Sequence, residues 1–201
     1  MTLNSIAALL TLAIIITAAL TNASKIIRHQ VEATLSSWLI FLAGTTTSFL
    51  SYLASSHKNF TGGVLNGADV LGDLIVVFSI IFFAKTGWRL KSFEKYYLIG
   101  LILIVVFWFF TADAFHSNLL IQILLAFGYL PTVHNLIKFK RNTESFAVWG
   151  LILVASIIGT YPAFYSWKAT GNILAIVYSV RSVVLIAVLM LLMYIYRPKQ
   201  A

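Results

Sequence analysis

Residues 98–110 read Leu98-Ile99-Gly100-Leu101-Ile102-Leu103-Ile104-Val105-Val106-Phe107-Trp108-Phe109-Phe110, thirteen positions without one charge or strong polar group. No amphipathic stripe can be drawn through such a run, so the helix it forms must be apolar all round and must sit in lipid. Working outward, similar runs recur along the whole chain. Crossing about 30 Å of hydrocarbon takes ~20 mostly apolar residues. The runs that qualify are roughly 3–23, 34–54, 63–84, 96–112, 117–138, 145–167 and 172–196. The runs are continuous rather than alternating in ~10-residue segments, which excludes a membrane β-barrel. The expected fold is an all-α membrane protein of seven transmembrane helices.

Composition agrees. Of 201 residues, 60% are hydrophobic and 10% charged, and the mean hydropathy is +0.93. A soluble domain is ~45–50% apolar and ~25% charged. The net charge of +8 would suggest nucleic acid in a soluble protein, but the bases here fall between apolar runs, where membrane topology accounts for them. No nucleic-acid partner is expected. There is no cysteine, which removes disulfides, thiolate metal sites and a cysteine nucleophile. The first apolar run has no preceding Lys or Arg and exceeds a signal-peptide core of ~7–15 residues, so it is expected to remain as span 1.

The basic residues set the orientation. Lys25, Arg28, Lys85, Arg89, Lys91, Lys95, Lys138, Lys140, Arg141, Arg197 and Lys199 fall on one side of a seven-span chain, and only Lys58 and Lys168 on the other. This 11-to-2 split places the N-terminus outside and the C-terminus in the cytoplasm, and the cell (inner) membrane is the expected location.

The chain also repeats. A shift of 111 residues lays Thr21-(x)16-Trp38 on Thr132-(x)16-Trp149, and each segment crosses a basic loop and enters the next span through an acid and a Ser/Thr: Glu32-Ala33-Thr34 and Glu144-Ser145. Spans 1–3 then match spans 5–7, with span 4 between them. The expected division is a first three-helix bundle over 1–84, a basic loop with linker helix over 85–112, and a second bundle over 113–201. Parallel repeats of this kind hold a substrate near the midplane between the units, one unit rocking on the other.

Three formal charges lie well inside spans: Asp69 and Asp73, six and ten residues into span 3, and Arg181, nine into span 7. Intramembrane charges cost ~2.5–3.5 kcal/mol or more each and mark function by default. Asp69 and Asp73 are i and i+4 and share a helix face, with Asn66 one turn earlier. Two readings stand side by side. One is a polar solute site in which Arg181 binds an anionic or polar group and an aspartate carries a proton. The other is a buried Asp–Arg pair that locks the halves together. Phe49, Tyr161 and Tyr178, read as residues alone, are core or interface aromatics. Trp88 and Trp108 read as interfacial residues, His134 as a wet interface residue, and Pro131 as a hinge because it removes one helix hydrogen bond.

The 3+1+3 pattern resembles the SWEET sugar transporters and the wider PQ-loop superfamily. The resemblance is carried by Gly128-Tyr129-Leu130-Pro131-Thr132, by Lys138-Phe139-Lys140-Arg141-Asn142-Thr143-Glu144-Ser145, and by Val64-Leu65-Asn66-Gly67-Ala68-Asp69-Val70-Leu71-Gly72. Pro131-Thr132 stands at the proline–glutamine dipeptide, Asn66 at the substrate-contacting asparagine of the third helix, and Tyr178 at the seventh-helix asparagine. The resemblance implies an alternating-access facilitator, with or without proton linkage, of a small polar solute, a sugar by default. A vitamin precursor such as nicotinamide riboside is the second substrate class. A non-transporting receptor of the KDEL-receptor kind is the alternative from another class. The substrate-binding set is then Asn66, Asp69, Asp73, Tyr161, Tyr178 and Arg181, with Pro131 as hinge. The partners are the solute and the bilayer, and a homo-oligomer is compatible with the reading. No catalytic or metal-binding residue is expected: there is no P-loop, dinucleotide fingerprint or His-Glu-x-x-His, no Schiff-base lysine in span 7, and no Gly-x-Ser-x-Gly. The chain is not expected to be an enzyme or to carry a cofactor.

Overall fold

A computed structural model describes residues 2–31, 35–83, 92–140 and 144–196, and these are helical with short turns and no strand. The helices are α1 (Leu3–Ile27), α2 (Leu35–Ala54), α3 (Val64–Phe83), α4 (Ser92–Thr111), α5 (Ala114–Phe127), α6 (Leu130–Phe139), α7 (Phe146–Thr170) and α8 (Leu174–Ile195). Five stretches among the described residues are long and apolar enough to cross a membrane: α1, α3, α5 with α6, α7 and α8. Two shorter apolar helices, Trp38–Ala54 and Lys95–Thr111, complete seven apolar segments, compatible with an integral membrane protein. Large apolar side chains cover the outer surface, with Phe109 83% and Phe110 80% exposed, which suits lipid and not water. Lys85, Trp88, Arg89, Lys91, Arg141, Arg197, Lys199, Glu32-Ala33-Thr34 and the boundary expected at 84/85 lie outside the described residues.

Local chemistry fixes most helix ends. The Thr2 and Ser145 hydroxyls accept from Ser5 N (3.3 Å) and Val148 N (3.4 Å) and cap α1 and α7. Asp113 caps α5 by accepting from His116 N at 3.0 Å, so this span starts at 114 rather than 117. That contact and the His116 ring at 2.6 Å hold the Asp113 carboxyl below the usual carboxylate range. Gly171 ends α7 with φ +75°, a conformation that favours glycine.

The span expected at 117–138 is two helices. The ladder thins at Gly128 and Tyr129, where Gly128 N donates to both Leu124 O and Leu125 O and Tyr129 N donates only to Ala126 O. Pro131 follows in the first turn of α6 with no N–H to give.

The helices pack closely where small residues meet. α1 lies mainly against α3 and α7, α7 against α8, and α2 against α3 and α5. α5 and α6 also touch α8, and α4 rests on α5 and α2. Ile15, Leu65, Ala68, Ile121, Leu125, Ala155 and Tyr178 from five helices form the central cluster. Polar contacts identify the two ends of the bundle. At one end Asn4 Nδ2 donates to Thr61 Oγ1 (3.1 Å), and Asn172 Nδ2 donates to Ser55 Oγ and Ser56 O (both 2.9 Å). At the other, Lys25 Nζ meets Ser145 Oγ. These are called the Asn4 end and the Lys25 end below.

One contact gives a sharp stability test. A Cβ built on Gly62 would lie 2.4 Å from the Ser166 Cβ. Neither atom can rotate away, because each is fixed by its backbone, so Gly62→Ala must push the turn ahead of α3 away from α7. Overpacking of this kind costs about 1–3 kcal/mol. A clear drop in melting temperature in detergent is expected, and an unchanged melt would contradict this packing.

Candidate functional site

The intramembrane polar residues gather on α3 and what faces it. Asp69 and Asp73 lie one turn apart, and both line a cavity of about 50 Å³ with Asn22 and Trp38 as its other polar and aromatic members. The volume suffices for a few waters. Asn22, Trp38, Val76 and Val148 place it in the half nearer Lys25, among α1, α2, α3 and α7. Gly72 forms part of the wall between the aspartates and α1, where a Cβ would lie 3.3 Å from Ile15 Cγ2.

Each carboxylate has one hydroxyl donor. Tyr178 OH donates to Asp69 Oδ2 at 2.6 Å, and Thr45 Oγ1 donates to Asp73 Oδ2 at 2.9 Å. The Tyr178 ring, 2% exposed, carries the Arg181 guanidinium 4.7 Å from its centroid. Arg181 also reaches Ser182 Oγ at 3.4 Å, while its Nε is buried without a partner. The expected Asp–Arg ion pair is therefore corrected: among the described residues no carboxylate stands within ion-pair distance of Arg181. The connection runs Asp69–Tyr178–Arg181, because the tyrosine is long enough to fill the space between α3 and α8 and polar at the tip that meets the acid.

Asn66 sits one turn nearer the Asn4 end, in a different setting. Its carboxamide lies 2.9 Å from Ser48 Oγ. With the amide oxygen turned to that hydroxyl it also accepts from Phe49 N (3.2 Å) and donates to Thr45 O (3.2 Å). Around it lies a buried polar network. Asn118 Nδ2 donates to Ser48 O (2.7 Å) and Ser51 Oγ (2.8 Å), and Gln122 Nε2 donates to Ser48 Oγ (2.8 Å) and Asn118 Oδ1 (3.0 Å). The space among Tyr52, Gly63, Asn66, Asn118, Leu174 and Tyr178 holds no room for water. The interior is thus tightly filled toward the Asn4 end and hollow toward the Lys25 end.

Of the residues expected from sequence, Asp69, Asp73, Asn66, Tyr178 and Arg181 fall in this one polar layer. Tyr161 does not join them: it is 44% exposed on α7 and lines neither space. Its position in the chain matched an aromatic pocket residue, but its helix face is turned outward. Phe49 packs against Gly67, where a Cβ would lie 3.0 Å from its ring. His134 is exposed on α6, and Pro131 lies at the α5–α6 break. Sequence reasoning passed over Thr45, Ser48, Ser51, Asn118 and Gln122. The i, i+4 pair Asn118/Gln122 inside an apolar run was the available signal. No group of three or more metal-type ligands occurs among the described residues. No family model matches the chain, and no curated protein matches it.

Proposed function

We propose that the chain is a membrane transporter of a small polar solute, built as two parallel three-helix bundles joined by a linker helix and working by alternating access. The observation that carries this reading is the cavity of about 50 Å³ lined by Asp69 and Asp73 among apolar helices. The cavity lies toward the Lys25 end and the filled network of Asn66, Ser48, Asn118 and Gln122 toward the Asn4 end, as expected for a site open toward one side at a time.

The internal repeat has support in the packing. The 111-residue shift carries α1 onto α5–α6, α2 onto α7 and α3 onto α8. The α1–α3, α2–α3 and α1–α7 contacts then become α5/α6–α8, α7–α8 and α5–α2, all of which occur. The register agrees at a single pair. Gln122 meets Ser48, and the shift relates that pair to Thr11 and Gly159, where a Gly159 Cβ would lie 3.1 Å from Thr11 Cγ2. α4 rests on the α2–α5 seam as a linker would.

The positive-inside rule assigns the Lys25 end to the cytoplasm. Ser56→Cys and Lys91→Cys should accordingly label from opposite sides of the membrane, and same-side labelling would sink the seven-span topology. Sugars are the first solute class by resemblance, vitamin precursors the second, and proton linkage would use the two aspartates. A thermal-shift screen of the purified protein against sugars, amino acids and vitamins should find a stabilising solute. Proteoliposomes should then exchange it. The small volume of the cavity favours, as second reading, a non-transporting receptor of the same architecture. A ligand that stabilises the protein without any flux would decide for the receptor.

A further inference from the structure

Two carboxylate oxygens in the bundle interior have no donor. One oxygen of each acid is taken, Asp69 Oδ2 by Tyr178 OH at 2.6 Å and Asp73 Oδ2 by Thr45 Oγ1 at 2.9 Å. Among the described residues nothing donates to the second oxygen of either, and neither oxygen is shut away from open space. Both therefore look into the cavity that the two residues line. Asn22 joins them from α1, and its carboxamide also has no hydrogen-bond partner among the described residues. Trp38 adds an aromatic ring from α2, and the rest of the wall is aliphatic or glycine.

No Lys, Arg or His lines this space. Arg181 is held on the Tyr178 ring, 4.7 Å from its centroid, and is not part of the wall. Two carboxylates and one guanidinium leave one negative charge unbalanced. Such a charge is costly among apolar helices, and the free oxygens turn it toward an occupant. Size narrows what that occupant is. About 50 Å³ holds a few waters or a small ion, whereas organic ligands fill pockets of ~300–1,000 Å³. The cavity as it stands takes an ion or one end of a solute, not a whole sugar. Its donors are oxygens, which suit hard cations. A calcium ion takes ~6–8 oxygens, more than these three side chains offer, and would overshoot the single unbalanced charge. A monovalent cation matches charge, size and donor type together, and the face of Trp38 suits an ammonium group as well.

We propose that this cavity binds one monovalent cation, held by the free oxygens of Asp69 and Asp73 and the carboxamide oxygen of Asn22. The cation is either an inorganic ion of sodium size or the ammonium head of a solute, and the chemistry that recognises it is the same. The site rests on the cavity and its donors and not on the transporter reading. Where that reading holds, the cation is the charge that travels with the solute or on it.

Thermal melting of the purified full chain in detergent tests the site. The reference salt is tetraethylammonium chloride, whose cation is too large for the cavity, and part of it is exchanged for sodium chloride or methylammonium chloride at constant ionic strength. A saturable rise of several degrees is expected, with sodium if the ion is inorganic and with methylammonium if the site takes a solute's head. Asp69→Asn/Asp73→Asn keeps both hydroxyl contacts and should melt cooperatively with no response to either salt. Asn22→Ala should need several-fold more cation for the same rise. If the double variant fails to fold, that displaced titration decides. Equal melting temperatures in all three salts overturn the site, as does a response that survives in the double variant or is unmoved by Asn22→Ala. A cation response in a protein that carries no solute upholds the site and overturns the transporter reading. Solute flux without any cation response does the reverse.

Discussion

Tyr178→Ala is expected to lower the stability of the fold by about 3–5 kcal/mol and to abolish solute flux. The ring belongs to the central cluster and is 2% exposed, so its removal leaves a cavity where five helices meet. It also separates the two halves of the charge layer, donating to Asp69 at 2.6 Å and carrying Arg181 at 4.7 Å. Tyr178→Phe divides these roles. The ring still packs and still faces the guanidinium, but Asp69 loses its donor, which costs about 1–3 kcal/mol for a buried group left unsatisfied. Adding Asp69→Asn should recover part of that loss, and a double-mutant cycle measures how much. Arg181→Ala should cost less than Tyr178→Ala, because the cation has a ring and one hydroxyl as partners rather than a carboxylate. Equal melting temperatures for Tyr178→Phe and the parent would contradict the role given to the hydroxyl.

The second large effect goes the other way on stability. Asn is nearly the same shape as Asp and its amide oxygen can still accept from Tyr178 and Thr45, so Asp69→Asn/Asp73→Asn keeps both hydrogen bonds. What it removes is formal charge in an apolar bundle, where a charge costs ~2.5–3.5 kcal/mol or more. The double variant should melt at the same temperature as the parent or higher, while flux falls to background. Function lost with stability kept is the mark of residues retained for chemistry rather than for the fold. Full flux in the double variant would remove the aspartates from the transport site. A large fall in melting temperature would make them structural.

The helices were legible because lipid demands long apolar runs, and the described elements follow those runs closely. The differences lie at the ends, where short-range chemistry decides: Asp113 starts α5 early, and Pro131 splits the fifth span. The polar layer was legible too, since Asp69, Asp73 and Arg181 stand out against so few charges. Their pairing was not. Equal depth on related helices made a direct ion pair reasonable, but depth says nothing of what lies between two side chains, and here that is Tyr178. Tyr161 illustrates the same limit, because helix rotation depends on neighbours from distant parts of the chain. Ser48 and Ser51 were invisible for another reason. Serine is common in membrane helices, where it satisfies its own backbone, and only the carboxamides of α5 give these two a cross-helix role.

The close packing of α1 on α7 also bears on how the chain is made. α1 ends at 27 and α7, one of its two main partners, begins at 146, so 118 residues separate them. At ~5–20 residues per second a ribosome takes about 6–24 s to add that stretch. Through that interval α1 stands in the bilayer with Ala7, Thr11 and Ile15 turned to lipid or to a borrowed neighbour, α3 being its first permanent companion. The small residues that make the finished seam close also leave the waiting face open to close approach by other helices. A chain halted before α7 should therefore be recognised and degraded as an orphan, however well its first three helices have inserted.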